Sequence, residues 1–177
     1  MSEPLSTADV QGLRTEFLLK REVQMALCAK HEANQNYGLA YLALWAVGEN
    51  FAKNLGHTWQ RVQLKADLGR WLDFLNGSVP TRPGDILAST FRQAASIEVS
   101  MPNVKLLKLA LPLQFSPQFY EVLDSDKKYR KRRNTVAHSG ESVSANTYQE
   151  FKVLATAAHE ELDVWLLSQI AKGAAHA

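Results

Sequence analysis

Three side chains near the end of one basic segment have the types and spacing that acid–base chemistry on a phosphate needs. Residues 127–140 read KKYRKRRNTVAHSG, and Arg133, Asn134 and His138 lie in the second half of this segment. On a helix, Asn134 and His138 are four residues apart and project from one face, and the long side chain of Arg133 can swing towards the same cleft. A histidine exchanges protons near neutral pH, and an arginine holds two phosphate oxygens and stabilises added negative charge. These groups are the parts that metal-free cleavage of RNA requires.

The same segment concentrates the positive charge of the chain. It holds six of the twenty Lys and Arg residues, so the rest of the chain carries 14 positive and 18 negative charges although the net charge is +2. A mildly acidic body with one basic patch predicts a polyanionic partner such as RNA, whereas the alternative is a solvated helix face. Besides Arg133, the predicted phosphate-binding residues are Lys127, Lys128, Arg130, Lys131 and Arg132.

Length and composition indicate one domain that folds around its own core. The chain has 177 residues, of which 46% are apolar and 21% charged. The chain has one cysteine, Cys28, so no internal disulfide can form, which fits a reducing cytoplasm. Cys28 is predicted to be a small buried hydrophobe. The polar N-terminus does not resemble a signal peptide, and the most apolar run, Leu39 to Val47, is shorter than the roughly 18 to 20 residues of a membrane span. We therefore expect a cytoplasmic protein without membrane contact.

The spacing of apolar residues predicts an all-α fold, an up-and-down bundle of about five helices. A capping box at Ser6 to Asp9 begins the first helix, which is expected to end near Ala33. The second helix is predicted from Leu39 to Leu55 with Gly56 as its terminator. The third is predicted from Trp59 to Leu75.

The second half of the chain is predicted to contain a loop-rich insertion followed by two helices, all within a single domain of residues 1–177. The insertion covers about 76–116. The helix that carries the basic run begins at Ser116-Pro117 and ends near His138, because Ser139-Gly140 is a stop signal. A second capping box, Thr147 to Glu150, predicts a last helix to about Ile170 and a frayed tail over 171–177.

Several other sites are set aside because their residue patterns are absent. The sequence has no Gly-rich phosphate loop, no Cys and His at zinc-ligand spacing and no Gly-x-Ser-x-Gly elbow, so no metal or cofactor is predicted. The four remaining histidines are scattered and predicted to be surface or capping residues: His31, His57, His159 and His176. Glu49 and Lys53 are four apart on the second helix, with Asn54 beside them, and would form a surface ion pair.

The basic segment, in a chain predicted to be all-α, resembles the HEPN superfamily. Its members are small all-α domains that share an Arg-x-x-x-x-His motif, often with Asn after the Arg. Residues 133–138 match that motif and lie near the end of the penultimate long helix. Many members also carry a Glu-x-x-x-Lys element on an earlier helix, and Glu49, Lys53 and Asn54 match it. Residues 76–116 have no counterpart in the resemblance.

The resemblance implies a metal-independent endoribonuclease that acts as a homodimer with a composite active site. The RNA 2′-hydroxyl would attack the adjacent phosphate, leaving a 2′,3′-cyclic phosphate and a 5′-hydroxyl. His138 would be the general acid or base, Arg133 the phosphate clamp and Asn134 an orienting group. Many relatives are toxins or phage-defence effectors under a partner protein such as an antitoxin. Gly140 stands where some toxins have a modified Tyr, so that form of control is not expected.

The sequence is also compatible with two other functions. One is a non-catalytic HEPN-type module that binds RNA, a nucleotide or a partner protein. The other is a structural helical bundle whose basic helix contacts phosphates or solvent. An intact Arg133, Asn134 and His138 favour catalysis over binding alone.

Overall fold

The regular structure of the described residues is entirely helical. A computed structural model describes residues 4–78, 122 and 128–175. Its helices are α1 (Thr7–Ala33), α2 (Tyr37–Ser78), α3 (Tyr129–Ser139) and α4 (Ala145–Ala174). The predicted all-α fold is thereby confirmed. Most of the predicted insertion, the predicted helix start at Ser116, the base Lys127 and His176 lie outside the described residues. The helix of the basic run begins at Tyr129, because Lys128 has a non-helical backbone with φ −120° and ψ −72°, so the predicted continuous helix from Ser116 to His138 is wrong at this point.

Helix α1 begins and ends where the sequence predicts. The Ser6 side chain accepts a hydrogen bond from the backbone of Asp9, and the Asp9 carboxylate accepts one from the backbone of Ser6. This capping box satisfies backbone N–H groups that have no partner within the helix. After Ala33 the chain turns through Gln35, which has a φ of 56°.

Helix α2 is one continuous helix of 42 residues, so the predicted break at Gly56 is wrong. A glycine inside a helix costs about 1 kcal/mol relative to alanine, which weakens a helix without ending it. Gly56 is buried, and its neighbours Ala52 and Leu55 have no exposed surface. Burial of this stretch offsets the cost, and a residue without a side chain lets neighbouring groups approach closely.

The core is built around α2, which packs against each of the other three helices. The rings of Tyr41 and Phe151 stack with centroids 3.9 Å apart and bring α2 against α4. Phe17 of α1 meets Phe51 of α2 edge to face at 5.6 Å. Such aromatic pairs contribute about 0.5–1.5 kcal/mol beyond the burial of their area.

Helices α1 and α4 lie antiparallel and are joined at both ends by partly buried ion pairs. Arg14 near the start of α1 bonds Asp163 near the end of α4, with Nε and Oδ1 2.7 Å apart. Glu32 at the end of α1 bonds Lys152 near the start of α4, with Nζ and Oε2 2.6 Å apart. The hydrogen bond from Lys152 lowers the pKa of Glu32.

Cys28 is 1% exposed, as predicted for a small core residue. Its Sγ lies 3.0 Å from the hydroxyl of Tyr148, and that hydroxyl donates to Glu32 at 3.2 Å. Burial raises the pKa of the Cys28 thiol. The thiol is therefore held in its neutral, weakly nucleophilic form.

The two ends of the α3–α4 connection differ in how well the sequence predicts them. The stop after α3 is confirmed, because Gly140 adopts a φ of 63° and donates its N–H to Val136. The predicted capping box at Thr147 to Glu150 is wrong, because Ser144 caps α4 and accepts from the Thr147 backbone N–H. The last helix reaches Ala174, so the predicted fraying does not begin at residue 171.

His159 is buried, which overturns its prediction as a surface or capping residue. It is 2% exposed and lies against Phe17, with ring centroids 6.3 Å apart. Its Nδ1 has no hydrogen-bond partner within the part of the chain that the structure describes. Burial, assisted by the positive charge of Arg21, lowers the pKa of His159 to about 4. The spacing to Leu162 and Leu166 on the same buried face is the sequence signal for this position.

The lowered pKa of buried His159 predicts that the protein loses stability in mild acid. Its pKa falls from a usual 6.5 to about 4 on folding, so between these values only the unfolded chain takes up the proton. The neutral, buried His159 therefore contributes to the free energy of unfolding in full above pH 6.5. This contribution is lost as the pH falls towards 4, by about 3 kcal/mol in total. Urea unfolding of the wild type and of His159→Leu at several pH values measures this difference.

The comparison is made between pH 6.5 and 4.5, because the lowered pKa of Glu32 makes its stabilisation fall only as the pH drops below the usual value of 4.5. The slope of unfolding free energy against pH in that window should be shallower in His159→Leu than in the wild type. Equal slopes in the two proteins would contradict a neutral, buried His159.

Candidate functional site

Helix α3 presents four different surfaces to its surroundings. Tyr129 and Val136, seven residues apart, point into the core and are 6% and 7% exposed. Asn134 and His138 are exposed on the opposite side. Val136 packs into the core, and His138 is two residues later on the opposite side of the helix. Packing of Val136 therefore places His138 on the outward side.

Arg133 lies on the flank of α3 that meets α2, where its guanidinium is held by a carboxylate. Its Nη2 donates to both oxygens of Glu49, at 3.1 and 2.9 Å. The indole N–H of Trp45 donates to the same carboxylate at 2.9 Å. The two charged side chains are 25% and 16% exposed, so water screens this pair only in part.

The remaining Arg133 bond orients Asn134. Nη1 of Arg133 donates to Oδ1 of Asn134 at 3.1 Å. An amide whose oxygen accepts from a guanidinium directs its Nδ2 hydrogens elsewhere, so Asn134 can donate to a bound acceptor. A connected chain of hydrogen bonds therefore runs from buried Trp45 through Glu49 and Arg133 to the exposed amide.

This arrangement changes the predicted role of Arg133. A guanidinium clamps two phosphate oxygens with a parallel pair of N–H groups, and the Nη2 group of Arg133 is already engaged by Glu49. The structure brings Arg133 together with Asn134, but no hydrogen bond joins either residue to His138 in the described part of the chain. The hydrogen bonds thus join Arg133 to Asn134, and the convergence of both with His138 on one phosphate stays a prediction.

Of the three predicted supporting residues, one contacts the site and two do not. Glu49 belongs to the site through Arg133, so its expected role as the surface partner of Lys53 is replaced by a contact 84 residues away. Lys53 is exposed and Asn54 half-buried on α2. Neither makes a hydrogen bond or ion pair to Arg133, Asn134 or His138 within residues 4–78 and 128–175. Trp45 is absent from the predicted site, although its i, i+4 spacing to Glu49 is a readable signal.

The other flank of α3 forms a cleft with the start of α4. The cleft has a volume of about 440 Å³ and is lined by Lys128, Lys131, Arg132 and Thr135 from the α3 side. Arg132 is paired there with Glu141. Farther along, Nζ of Lys128 lies 3.5 Å from the carboxylate of Glu150, where both side chains are largely exposed.

The basic run is consequently not a uniform positive surface. Carboxylates from α2, from the α3–α4 connection and from the start of α4 accompany three of its bases: Glu49 beside Arg133, Glu141 beside Arg132 and Glu150 beside Lys128. Sequence position could not show this, because each acid lies at least nine residues from its base. An incoming polyanion has to compete with these carboxylates, and the exposed pairs are the weaker competitors.

Comparison of the chain with protein-family models, curated proteins and solved structures finds no match. Within the described residues, no helix is both long and apolar enough to cross a membrane. The same residues contain no group of three His, Cys, Asp or Glu side chains placed to hold a metal ion. The interpretation of the site therefore rests on its geometry and on the chemistry of its side chains.

We predict that Glu49 and Arg133 are strongly coupled. A double-mutant cycle with Glu49→Ala and Arg133→Ala should give a coupling free energy of about 1–3 kcal/mol, because two charge-assisted hydrogen bonds lie in a partly buried place. The matched control is Arg132→Ala with Glu141→Ala, an ion pair that is more exposed. That pair should couple by about 0.5 kcal/mol or less.

Urea denaturation of the single and double variants measures both cycles. Equal coupling energies in the two cycles would mean that the Glu49–Arg133 pair is an ordinary surface contact, and the hydrogen-bond chain from Trp45 to Asn134 would lose its structural role.

Proposed function

We propose that the protein is a metal-independent endoribonuclease of the HEPN type that cleaves RNA in the cytoplasm. The observation that carries the proposal is the end of α3, where exposed His138 lies four residues beyond Asn134 on a basic helix. The amide of Asn134 is oriented by Arg133, which Glu49 holds in place. A proton-exchanging group, a fixed hydrogen-bond donor and nearby positive charge suit a phosphodiester.

The proposed reaction is attack of the RNA 2′-hydroxyl on the adjacent phosphorus. One group removes the proton of the 2′-hydroxyl as the new P–O bond forms. A second group protonates the departing 5′-oxygen as the old P–O bond breaks. The products are a 2′,3′-cyclic phosphate and a 5′-hydroxyl, and no water or oxidant is consumed.

His138 supplies one of these two proton-transfer groups. Attack and departure take place on opposite sides of the phosphorus, so one imidazole cannot reach both oxygens at once. In the proposed composite site a second chain therefore contributes its own His138. This is the chemical reason for the homodimer, and the outward direction of His138 is compatible with it.

The neighbouring residues have separate proposed roles. Asn134 donates from Nδ2 to a phosphate oxygen, and Arg133 acts through the amide it orients and through its charge. The bases Lys127, Lys128, Arg130, Lys131 and Arg132 contact the RNA backbone without reading sequence, so binding weakens as salt rises. The HEPN resemblance extends the proposal to a toxin or phage-defence effector restrained by an antitoxin or another regulatory protein.

One observation favours a second candidate, a non-catalytic module that binds RNA, a nucleotide or a partner protein. Glu49 occupies the Nη2 group of Arg133, which removes the two-oxygen clamp expected of a catalytic arginine. A module that only binds would need the basic run but not His138. The two candidates therefore differ in what a change at His138 does.

The test is cleavage of a labelled single-stranded RNA in EDTA by the wild type, His138→Ala and His31→Ala. We expect His138→Ala to lose about 100-fold or more in rate, the usual contribution of a proton-transfer group. His31→Ala, a change at a histidine that has no proposed role in the reaction, should cleave like the wild type. Mass spectrometry of the fragments should show 2′,3′-cyclic phosphate ends.

Binding measured on the same samples separates the candidates. Salt-sensitive RNA binding by all three proteins without cleavage would support the binding module. Cleavage that survives His138→Ala unchanged would contradict the proposed chemistry, because the activity would then come from other groups or from a contaminant.

A further inference from the structure

One face of α1 is apolar although it points away from the core. Leu19, Val23 and Leu27 are 60%, 56% and 40% exposed, and each is four residues after the one before. Successive members of this series rotate by only about 40° around the helix. Single exposed apolar residues are ordinary on a protein surface, whereas an aligned series on one helix is typical of a contact surface.

Opposite charges lie at the two ends of this apolar face. Glu16 is seven residues before Val23 and Lys30 is seven residues after it, and both are exposed. Seven residues are about two helical turns, so both charges lie within about 20° of Val23 around the helix. Neither residue forms an ion pair within the described part of the chain.

Leu19, Leu27, Glu16 and Lys30 are symmetric in type and antisymmetric in charge about Val23. Exposed Lys20, about 60° around the helix from Val23, has Ala26 as its counterpart and lies at the edge of this face. Reversing the helix exchanges Leu19 with Leu27 and Glu16 with Lys30, and leaves Val23 where it was. A surface of this kind is complementary to itself when two copies run in opposite directions. This is the requirement that a twofold, isologous interface places on a protein surface.

We propose that this face binds the same face of a second copy, with the two α1 helices antiparallel about a twofold axis at Val23. Val23 then meets Val23 of the second copy, and Leu19 meets Leu27 of the second copy on both sides. Glu16 lies opposite Lys30 of the second copy at each end. A parallel arrangement would oppose Glu16 to Glu16 and Lys30 to Lys30, which like-charge repulsion disfavours.

The size of the contact sets its strength. Two helices that touch over about four turns bury on the order of 1,000 Å² in total, at the lower limit of specific interfaces. We therefore expect a reversible dimer with a dissociation constant in the micromolar range. Higher salt should weaken it in part, because the charged ends are exposed and the apolar centre is not screened.

This dimer does not rest on the proposed ribonuclease activity. Its surface is on α1, whereas a composite catalytic site would need a contact at the exposed side of α3. Changes on the α1 face can abolish the dimer while His138 is intact, and changes at His138 leave the α1 face intact. A dimer mass alone does not tell the two contacts apart, so the α1 contact is measured by the change that Val23→Glu makes in self-association and by cross-linking at position 23.

The first test measures mass by sedimentation equilibrium for the wild type, Val23→Glu and Val164→Glu. Val164 on α4 is 66% exposed and serves as a matched control for Val23 at 56%. We expect a concentration-dependent dimer in the wild type, a rise of about tenfold or more in the dissociation constant for Val23→Glu, and little change for Val164→Glu. Circular dichroism checks that both variants are folded.

The second test reads the register of the two helices. Val23→Cys should form a disulfide-linked dimer with oxidised glutathione, because a residue on the twofold axis faces its own copy, and Val164→Cys should not. The native Cys28 is buried and does not compete. Glu16→Lys should weaken the dimer, and the combined Glu16→Lys, Lys30→Glu variant should restore it.

Three results would overturn the proposal. The wild type could remain monomeric at high micromolar concentration. Val23→Glu could leave self-association unchanged, or Val164→Glu could weaken it as much as Val23→Glu does. The cysteine at position 164 could cross-link while the one at position 23 does not.

Discussion

The ion pair between Glu49 and Arg133 is the interaction on which the geometry of the candidate site depends. It joins α2 to α3 across 84 residues of sequence and is supported from the core by the indole of Trp45. Without Glu49, the guanidinium of Arg133 would be free to follow solvent or a ligand, and Asn134 would lose the donor that orients its amide. A partly buried carboxylate thus sets the direction of an exposed neutral donor.

Pairing with carboxylates explains why the surface of the basic run is less positive than its sequence suggests. Glu49, Glu141 and Glu150 each accompany one base of this run, from positions 9 to 84 residues away in the chain. The exposed pairs are worth little free energy and can open when phosphates approach, whereas the pair with Glu49 is more buried and should persist. In the proposed mechanism RNA would therefore displace the acids around the cleft and leave Arg133 in place.

Helix ends that depend on hydrogen bonds between nearby residues could be predicted from the sequence. Features that depend on contacts between helices could not. The capping box at Ser6 and the left-handed stop at Gly140 follow from hydrogen bonds within a few residues. Gly56 and His159 failed for one reason, because both are buried and burial outweighs the local preference of either residue. Ser144 caps α4 in place of Thr147, because the helix begins three residues earlier than predicted and the N–H of Thr147 itself donates to Ser144. The partner of Arg133 could not be predicted, since helical spacing relates Glu49 to Lys53 and says nothing about α3.

The central claim of the proposed function is that the RNA itself supplies the nucleophile. An RNA with a single 2′-deoxy nucleotide on the 5′ side of a cleaved bond tests it most directly, because only that hydroxyl is removed. With the 2′-hydroxyl as nucleophile, this bond alone becomes resistant in EDTA while all other cleaved bonds are cut as before. Continued cleavage at the deoxy position would contradict it and would require an external nucleophile in place of the 2′-hydroxyl.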